Sequence, residues 1–102
     1  MSYLIRVREP QPSRGYSLEM TAELAGLRRR EVLICWRYGL VRPQSISRFG
    51  MIGFDEHALH TLRQVARVRD SLGVNLTAAR VIVELCRELE RLRRELDFWR
   101  GR

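Results

Sequence analysis

With 102 residues, of which 45% are hydrophobic and 30% charged, the chain has the composition of one globular domain and not of a disordered tail. All 19 basic residues are arginine, and they exceed the 12 acidic residues to give a net charge of +7, which suits an anionic partner. No apolar run approaches the roughly 18 residues of a membrane span, and the N-terminus does not resemble a signal peptide, so we expect a cytoplasmic protein.

The first residues, "MSYLIRVREPQPSRG", combine a short alternating stretch with a segment rich in proline and glycine. Pro10 and Pro12 interrupt any regular element, and Gly15 is typical of a turn. We therefore expect residues 1–15 to form an N-terminal arm, or an edge strand, followed by a loop.

Two short helices are predicted next. Ser17 is a suitable N-cap for a helix over about residues 18–25, and Gly26 follows as a C-terminal stop signal. The residues expected on its buried face are Leu18, Ala22 and Ala25. A second helix over about residues 28–38 is ended by Gly39.

The segment over residues 43–54, "PQSISRFGMIGF", is too rich in Gly, Ser and Pro for a helix. Its apolar residues alternate as in a short two-stranded hairpin, or wing: Ile46, Phe49, Met51 and Phe54. Asp55 is then expected to cap a third helix over about residues 56–72, which Gly73 ends. We therefore expect residues 16–74 to form one domain of two short helices, a hairpin and a third helix.

A fourth helix is expected to open at Asn75 or Thr77 and to run to about Trp99. Its apolar residues step by four and three positions, which is a heptad seam: Ala78, Ile82, Leu85, Leu89, Leu92, Leu96 and Trp99. The first half of this seam would suffice for a helix packed on a core. Because the second half extends beyond what a small domain can cover, we predict a coiled-coil homodimer through residues 75–102.

The second helix contains five consecutive apolar residues, 32–36 ("VLICW"), which point in all directions around a helix at about 100° per residue. Val32, Cys35 and Trp36 suffice for the core, so Leu33 or Ile34 should stay exposed and suit a protein partner. Alternatively, the first strand or the fourth helix covers them. The arginines at 28–30 lie where the helix dipole disfavours positive charge, so they either bind an anion or are solvated.

The residue types needed for catalysis or metal binding are sparse. Cys35 and Cys86 are expected to be two buried, reduced thiols, and their spacing to His57 and His60 matches no structural zinc site. His57 is expected to have a structural role near the start of the third helix. With no nucleophile–base pair and no paired carboxylates, we expect neither an enzyme nor a metal or cofactor.

The order helix, helix, wing, helix, long helix resembles the MerR-type regulators, through "YSLEMTAELAGL", "YGLVRP" and "GMIGFDEHAL" over residues 16–99. The resemblance implies an all-α, MerR-like winged helix-turn-helix with a small β-hairpin wing and a long C-terminal coiled-coil helix. In those regulators the second helix carries the pattern Arg-Thr-Leu-Arg-Tyr-Tyr, and the resemblance implies that it enters the major groove of DNA. Here Arg30 matches the first arginine, but Leu33, Ile34 and Cys35 replace the second arginine and the tyrosines, and Ile52 replaces the wing arginine. These substitutions remove groups that bind phosphates and bases.

A closer resemblance, to the CbpM-type chaperone modulators, rests on "FDEHAL" at 54–59, "LRQVARVRDSLGVNL" at 62–76 and the "ELCRELERLRREL" tail. It implies a protein that binds the J-domain of a DnaJ-like co-chaperone and restrains its stimulation of the heat-shock ATPase chaperone. A J-domain's second helix is basic, so its binder should offer acidic groups. The "GVNL" segment is also similar to MerR-type heat-shock repressors.

Two functions therefore compete. For a chaperone modulator, the expected contacts to the J-domain are Leu33, Ile34, Trp36, Glu19 and Glu23. For a DNA-binding repressor, the expected phosphate contacts are Arg28, Arg29, Arg30, Arg37 and Arg42. Nine arginines against four acids give residues 1–50 a charge of +5, which favours DNA. A third hypothesis is a dimerisation module with neither partner.

Overall fold

The computed structural model describes residues 15–101, so all of the predicted N-terminal arm except Gly15 lies outside the described residues. Four helices and three short strands make up this part of the chain. The helices are α1 (Leu18–Ala25), α2 (Arg29–Arg37), α3 (Glu56–Leu72) and α4 (Leu76–Trp99), and the strands are β1 (Tyr16–Ser17), β2 (Ser45–Ile46) and β3 (Ile52–Phe54). The mostly helical architecture agrees with the predicted class.

The helix boundaries follow from capping residues. Side-chain oxygens of Ser17, Asp55 and Asn75 accept hydrogen bonds from the backbone N–H three residues further on, at 3.1, 2.9 and 2.8 Å. Gly26 and Gly73 end α1 and α3 with φ angles of 79° and 67°, which only glycine adopts readily. The predicted caps are confirmed, and Asn75 rather than Thr77 opens α4.

The strands form one small antiparallel sheet in the order β1-β3-β2. Ser45 pairs with Gly53 as in the predicted hairpin, but Tyr16 also pairs with Phe54 and adds a third strand. A strand of two residues carries almost no sequence pattern. In addition, Ser17 both ends β1 and caps α1, and its sequence pattern predicts the start of a helix rather than a strand.

The core lies between α1, α2, α3 and the first half of α4. Its largest fully buried side chains include Phe54, Leu59 and Leu62. From α4, only Ala79 and Val83 are buried, because α3 covers no more than the beginning of this helix. None of the helices in residues 15–101 is long and apolar enough to cross a membrane.

The two cysteines differ in environment. Cys35 is fully buried, and desolvation raises the pKa of its thiol to about 11. Cys86 is exposed on α4, although the next residue, Arg87, still contacts α3. Both thiols are free, but the prediction that both are buried is wrong for Cys86.

Candidate functional site

The exposed side of α1 combines apolar and acidic side chains. Met20 and Leu24, one turn apart, are 47% and 40% exposed. Glu19 and Glu23 are exposed beside them. At about 100° per residue these four residues share the side of α1 that faces away from the core, and we call them the α1 face. Sequence reasoning proposed the two acids but missed Met20 and Leu24, although their i,i+4 spacing outside the buried stripe is a usable signal.

An ion pair links the α1 face to α2. Nε of Arg29 lies 3.1 Å from a carboxylate oxygen of Glu19. Within residues 15–101, Glu23 has no ion-pair partner and Arg29 pairs with no other acid. Arg29, a predicted phosphate contact, is therefore paired with Glu19, a predicted contact to a protein partner. Glu23 carries the unpaired negative charge of the α1 face.

The apolar run of α2 is divided between the core and the surface. Val32 and Cys35 are fully buried, as expected. Trp36 is half-buried and packs edge-on against Phe54, with ring centroids 6.4 Å apart. Leu33 is also half-buried and packs against the core, whereas Ile34 is half-buried outside the core cluster. The expectation that Leu33 or Ile34 stays exposed is therefore wrong, since both are half-buried, but Ile34 does not pack against the core as Leu33 does.

Glu31 has a structural role at the start of α2. Its carboxylate accepts a hydrogen bond from the backbone N–H of Arg28 at 2.7 Å and another from the guanidinium of Arg69 at 3.2 Å. The same Arg69 donates to the carbonyl of Gly26 at 3.1 Å. This acid therefore compensates part of the helix-dipole cost of the arginine run and is not free for a partner.

The remaining arginines proposed for phosphate contact are exposed. Arg30 and Arg37 are seven residues apart on the outward edge of α2, with Ile34 between them. Arg28 and Arg42 are exposed on either side of the helix. None of these four side chains forms an ion pair with another residue in the range 15–101. The surface around α2 is consequently basic, with the half-buried Ile34 between two of the arginines.

The hairpin between β2 and β3 projects an aromatic side chain. Ser47 Oγ accepts hydrogen bonds from the backbone N–H groups of Phe49 and Met51 at 3.1 and 3.0 Å, which fixes the turn. Phe49 is 79% exposed and Ile46 is also exposed, whereas Phe54 is fully buried. The alternation that predicted the hairpin therefore does not correspond to one buried face, and the tip of the hairpin presents Phe49 beside the exposed Arg48.

The predicted dimerisation residues lie along the side of α4 that faces away from the core. Ile82 is half-buried, and the others are exposed. The exposed ones are Leu85, Leu89, Leu92, Leu96 and Trp99, with exposures from 45% for Leu92 to 77% for Trp99. An apolar stripe of this length costs free energy when it remains in water.

Contacts between α3 and α4 account for the histidine of the "FDEHAL" segment. A guanidinium nitrogen of Arg87 lies 2.8 Å from Nε2 of His57, and another donates to the hydroxyl of Thr61 at 2.8 Å. This agrees with a structural role for His57. Within residues 15–101, no three His, Cys, Asp or Glu side chains lie close enough together to hold a metal ion.

Comparison with known families identifies one match. The model of the family described as "MerR HTH family regulatory protein" matches residues 17–100, which cover α1 to the end of α4. No curated protein matches the chain significantly.

Proposed function

The chain belongs to the MerR helix-turn-helix family of regulatory proteins, and within it we propose a non-enzymatic chaperone modulator that binds the J-domain of a DnaJ-like co-chaperone through α1 and α2. The observation that carries this proposal is the α1 face. Its exposed Met20 and Leu24 next to Glu19 and Glu23 suit a basic amphipathic helix. The resemblance to CbpM-type modulators supports the same kind of partner.

The α1 face also argues against a surface made only for nucleic acid. Two carboxylates beside a phosphate backbone would be repelled by it, and Met20 and Leu24 offer no hydrogen bonds to phosphate. Leu33, Ile34 and Trp36 are half-buried, so they extend the contact area but do not dominate it. We expect Ile34 to be the main contact from α2.

The proposal is tested by titrating a purified J-domain from a DnaJ-like co-chaperone of the same organism into the full chain in a calorimeter. Two variants alter the α1 face: Glu23→Arg reverses its free charge, and Met20→Ser with Leu24→Ser removes its apolar pair. Each should weaken binding about tenfold or more, as loss of central interface contacts does. Leu33 is a poor choice for such a test because it packs against the core.

Matched controls are Glu90→Arg on α4 and Leu72→Ser at the end of α3, since both positions are exposed and lie on other elements. They should bind as the wild type does. Absence of wild-type binding, or wild-type affinity in both α1-face variants, would overturn the proposal.

A DNA-binding transcriptional regulator is the second candidate. Family membership favours it, together with the exposed arginines 28, 30, 37 and 42, which lack ion-pair partners among the described residues. In the wild type, log affinity for duplex DNA should then fall with log salt by about 0.9 per phosphate contact. Arg30→Ala with Arg37→Ala should reduce this slope by about 1.8, whereas Arg94→Ala on α4 should not. A flat slope, or no duplex binding near about 100 mM salt, would eliminate this candidate.

In either function we propose that the protein acts as a homodimer through α4. The stripe from Ile82 to Trp99 is the supporting observation, because in the single chain most of it is exposed. Sedimentation equilibrium of the full chain provides the test. A dimer at micromolar concentration is expected, and a monomer across the accessible concentration range would contradict it.

A further inference from the structure

We infer that the partner bound to the α1 face places an acidic side chain in a basic cavity beside Leu24, between the end of α1 and the outer side of α3. This inference rests on the proposed function and specifies the chemistry of the partner's contact surface. The cavity has a volume of about 310 Å³, and Leu24 forms part of its wall on the α1 side. Its charged lining residues all come from α3: Arg63, Arg67 and Asp70.

The side chains of the α1 face lie in a fixed order around the helix. At about 100° per residue, Glu19 and Glu23 are neighbours on one flank, and the apolar pair lies on the other flank. Glu19 contacts Arg29 of α2, so the acidic flank adjoins α2. Leu24 lines the same cavity as Arg63, so the apolar flank adjoins α3. From α2 towards α3, the surface therefore changes from acidic to apolar to basic.

The charges that line the cavity are unequal. Asp70 is paired with Arg69, whose Nε lies 3.0 Å from its carboxylate. Arg67 is exposed and forms neither an ion pair nor a hydrogen bond with another residue in the range 15–101. Arg63 donates to the carbonyl oxygen of Leu24 at 3.3 Å, and this oxygen carries no net charge. Two guanidinium groups in the cavity wall are thus without a carboxylate partner in the described part of the chain.

A carboxylate side chain fits this arrangement. Arg63 and Arg67 are exposed and lie one turn apart on α3, and like charges at this spacing destabilise a helix, so an anion between them stabilises both. The planar guanidinium group of arginine matches a carboxylate in geometry and charge. Leu24 and Ala66 offer apolar contact to the methylene groups of a glutamate. A phosphate backbone suits the position less well, because the unpaired Glu23 of the α1 face would repel it.

The change of charge across the surface also defines how the partner lies on it. A partner helix needs basic side chains above Glu23 and an acidic side chain above Arg67, with apolar side chains between them. Turning this helix end for end exchanges its two flanks, which places base on Arg67 and acid on Glu23. The surface therefore accepts one orientation of the partner and rejects the other.

Charge reversal at Arg67 tests the inference in the full chain. A purified J-domain from a DnaJ-like co-chaperone of the same organism is titrated calorimetrically into the wild type, Arg67→Glu and Arg67→Gln. The reversal should weaken binding about tenfold, because it places two carboxylates together, and the neutral variant should weaken it less. Both variants should retain the cooperative urea unfolding transition of the wild type, since Arg67 is exposed.

The matched control is Arg48→Glu at the hairpin tip, an exposed position where the net charge changes by the same amount. This variant should bind at least as tightly as the wild type, because added negative charge attracts a basic partner. A partner surface that is only basic would bind Arg67→Glu more tightly for the same reason. Unchanged or tighter binding of Arg67→Glu would therefore overturn the inference.

Charge reversal on the partner identifies the acidic side chain. Each exposed acidic residue of the J-domain is changed to Arg in turn, and each product is titrated into the wild type and into Arg67→Glu. One of these changes should weaken binding to the wild type and restore binding to Arg67→Glu to within about twofold of the unmodified pair. If no substitution restores binding, the partner has no carboxylate in the cavity.

The possible failures can be told apart. A J-domain that does not bind the wild type overturns the proposed function and this inference together. A J-domain that binds the wild type and Arg67→Glu equally well overturns this inference alone. Unchanged J-domain binding by Arg67→Glu, together with weakened binding of duplex DNA, would show that the cavity accepts phosphate and would also overturn it.

Discussion

A guanidinium nitrogen of Arg69 on α3 donates to both carboxylate oxygens of Glu31 on α2, at 3.2 and 3.3 Å. The two side chains are only 24% and 17% exposed, so water screens this pair less than it screens the exposed pair of Arg29 with Glu19. Because the same carboxylate also caps α2 at Arg28, one acid sets the position of α2 relative to α3.

Replacing Glu31 by Gln should therefore lower the free energy of unfolding by about 2 kcal/mol, since it removes the bridging charge from a partly buried arginine. Urea unfolding followed by circular dichroism measures the loss. The matched control is Glu19→Gln, which breaks the exposed pair with Arg29 and should cost less than about 0.5 kcal/mol. Equal losses in the two variants would contradict the structural role of Glu31.

The two thiols should differ in reactivity. Burial raises the pKa of Cys35 to about 11, and only the thiolate reacts with disulfide reagents. The native protein should accordingly react rapidly with one equivalent of such a reagent, at Cys86, near about pH 8. Unfolding in urea should release the second equivalent. Rapid modification of native Cys86→Ser protein would show that Cys35 is accessible.

Two phenylalanines of the hairpin region should differ in their contribution to stability. Phe54 is fully buried and packs against Trp36, so Phe54→Ala should cost about 3–5 kcal/mol. Phe49 is 79% exposed at the hairpin tip, and Phe49→Ala should cost less than about 0.5 kcal/mol. Thermal unfolding of both variants compares them, and a large loss for Phe49 would mean that another part of the chain covers the tip.

A charge introduced into the apolar stripe of α4 should prevent dimerisation without unfolding the N-terminal domain. Leu89 lies beyond the part of α4 that contacts the core, so Leu89→Arg should give a monomer that retains its folded N-terminal domain. Sedimentation measures the assembly, and the urea unfolding transition measures the fold. Leu72→Arg on α3 is the control and should remain dimeric. Unfolding of Leu89→Arg at all concentrations would show that the domain depends on the dimer.

The helices and their limits were predictable because each signal is local. Asp55 and Gly73 lie at the two ends of α3 in both the prediction and the structure. The strand β1 was not predictable, since it consists of two residues whose pairing depends on a segment about 37 positions away.

The candidate site was predicted less well because exposure depends on packing between elements. The local pattern of α2 identifies Val32 and Cys35 as core residues. It does not distinguish Leu33 from Ile34, because these two differ only in their contacts with other elements. The carboxylate of Glu31 is occupied by Arg69, which lies 38 residues further along the chain, and no local pattern reveals this contact. The expectation that Cys86 is buried failed because burial along α4 depends on how this helix packs on α3, which the heptad pattern does not reveal.

Val83 is the last buried residue of α4 and lies sixteen residues before the end of this helix, which affects how long the protein persists. Outside a dimer, an isolated helical segment of this length is marginally stable in water. Its helicity should therefore rise with protein concentration, because association supplies the stabilisation by mass action. In the proposed dimer equilibrium, the segment should fray and become accessible to proteases at concentrations below the dimer dissociation constant. The protein would then persist at levels where its two copies meet and be removed at lower levels.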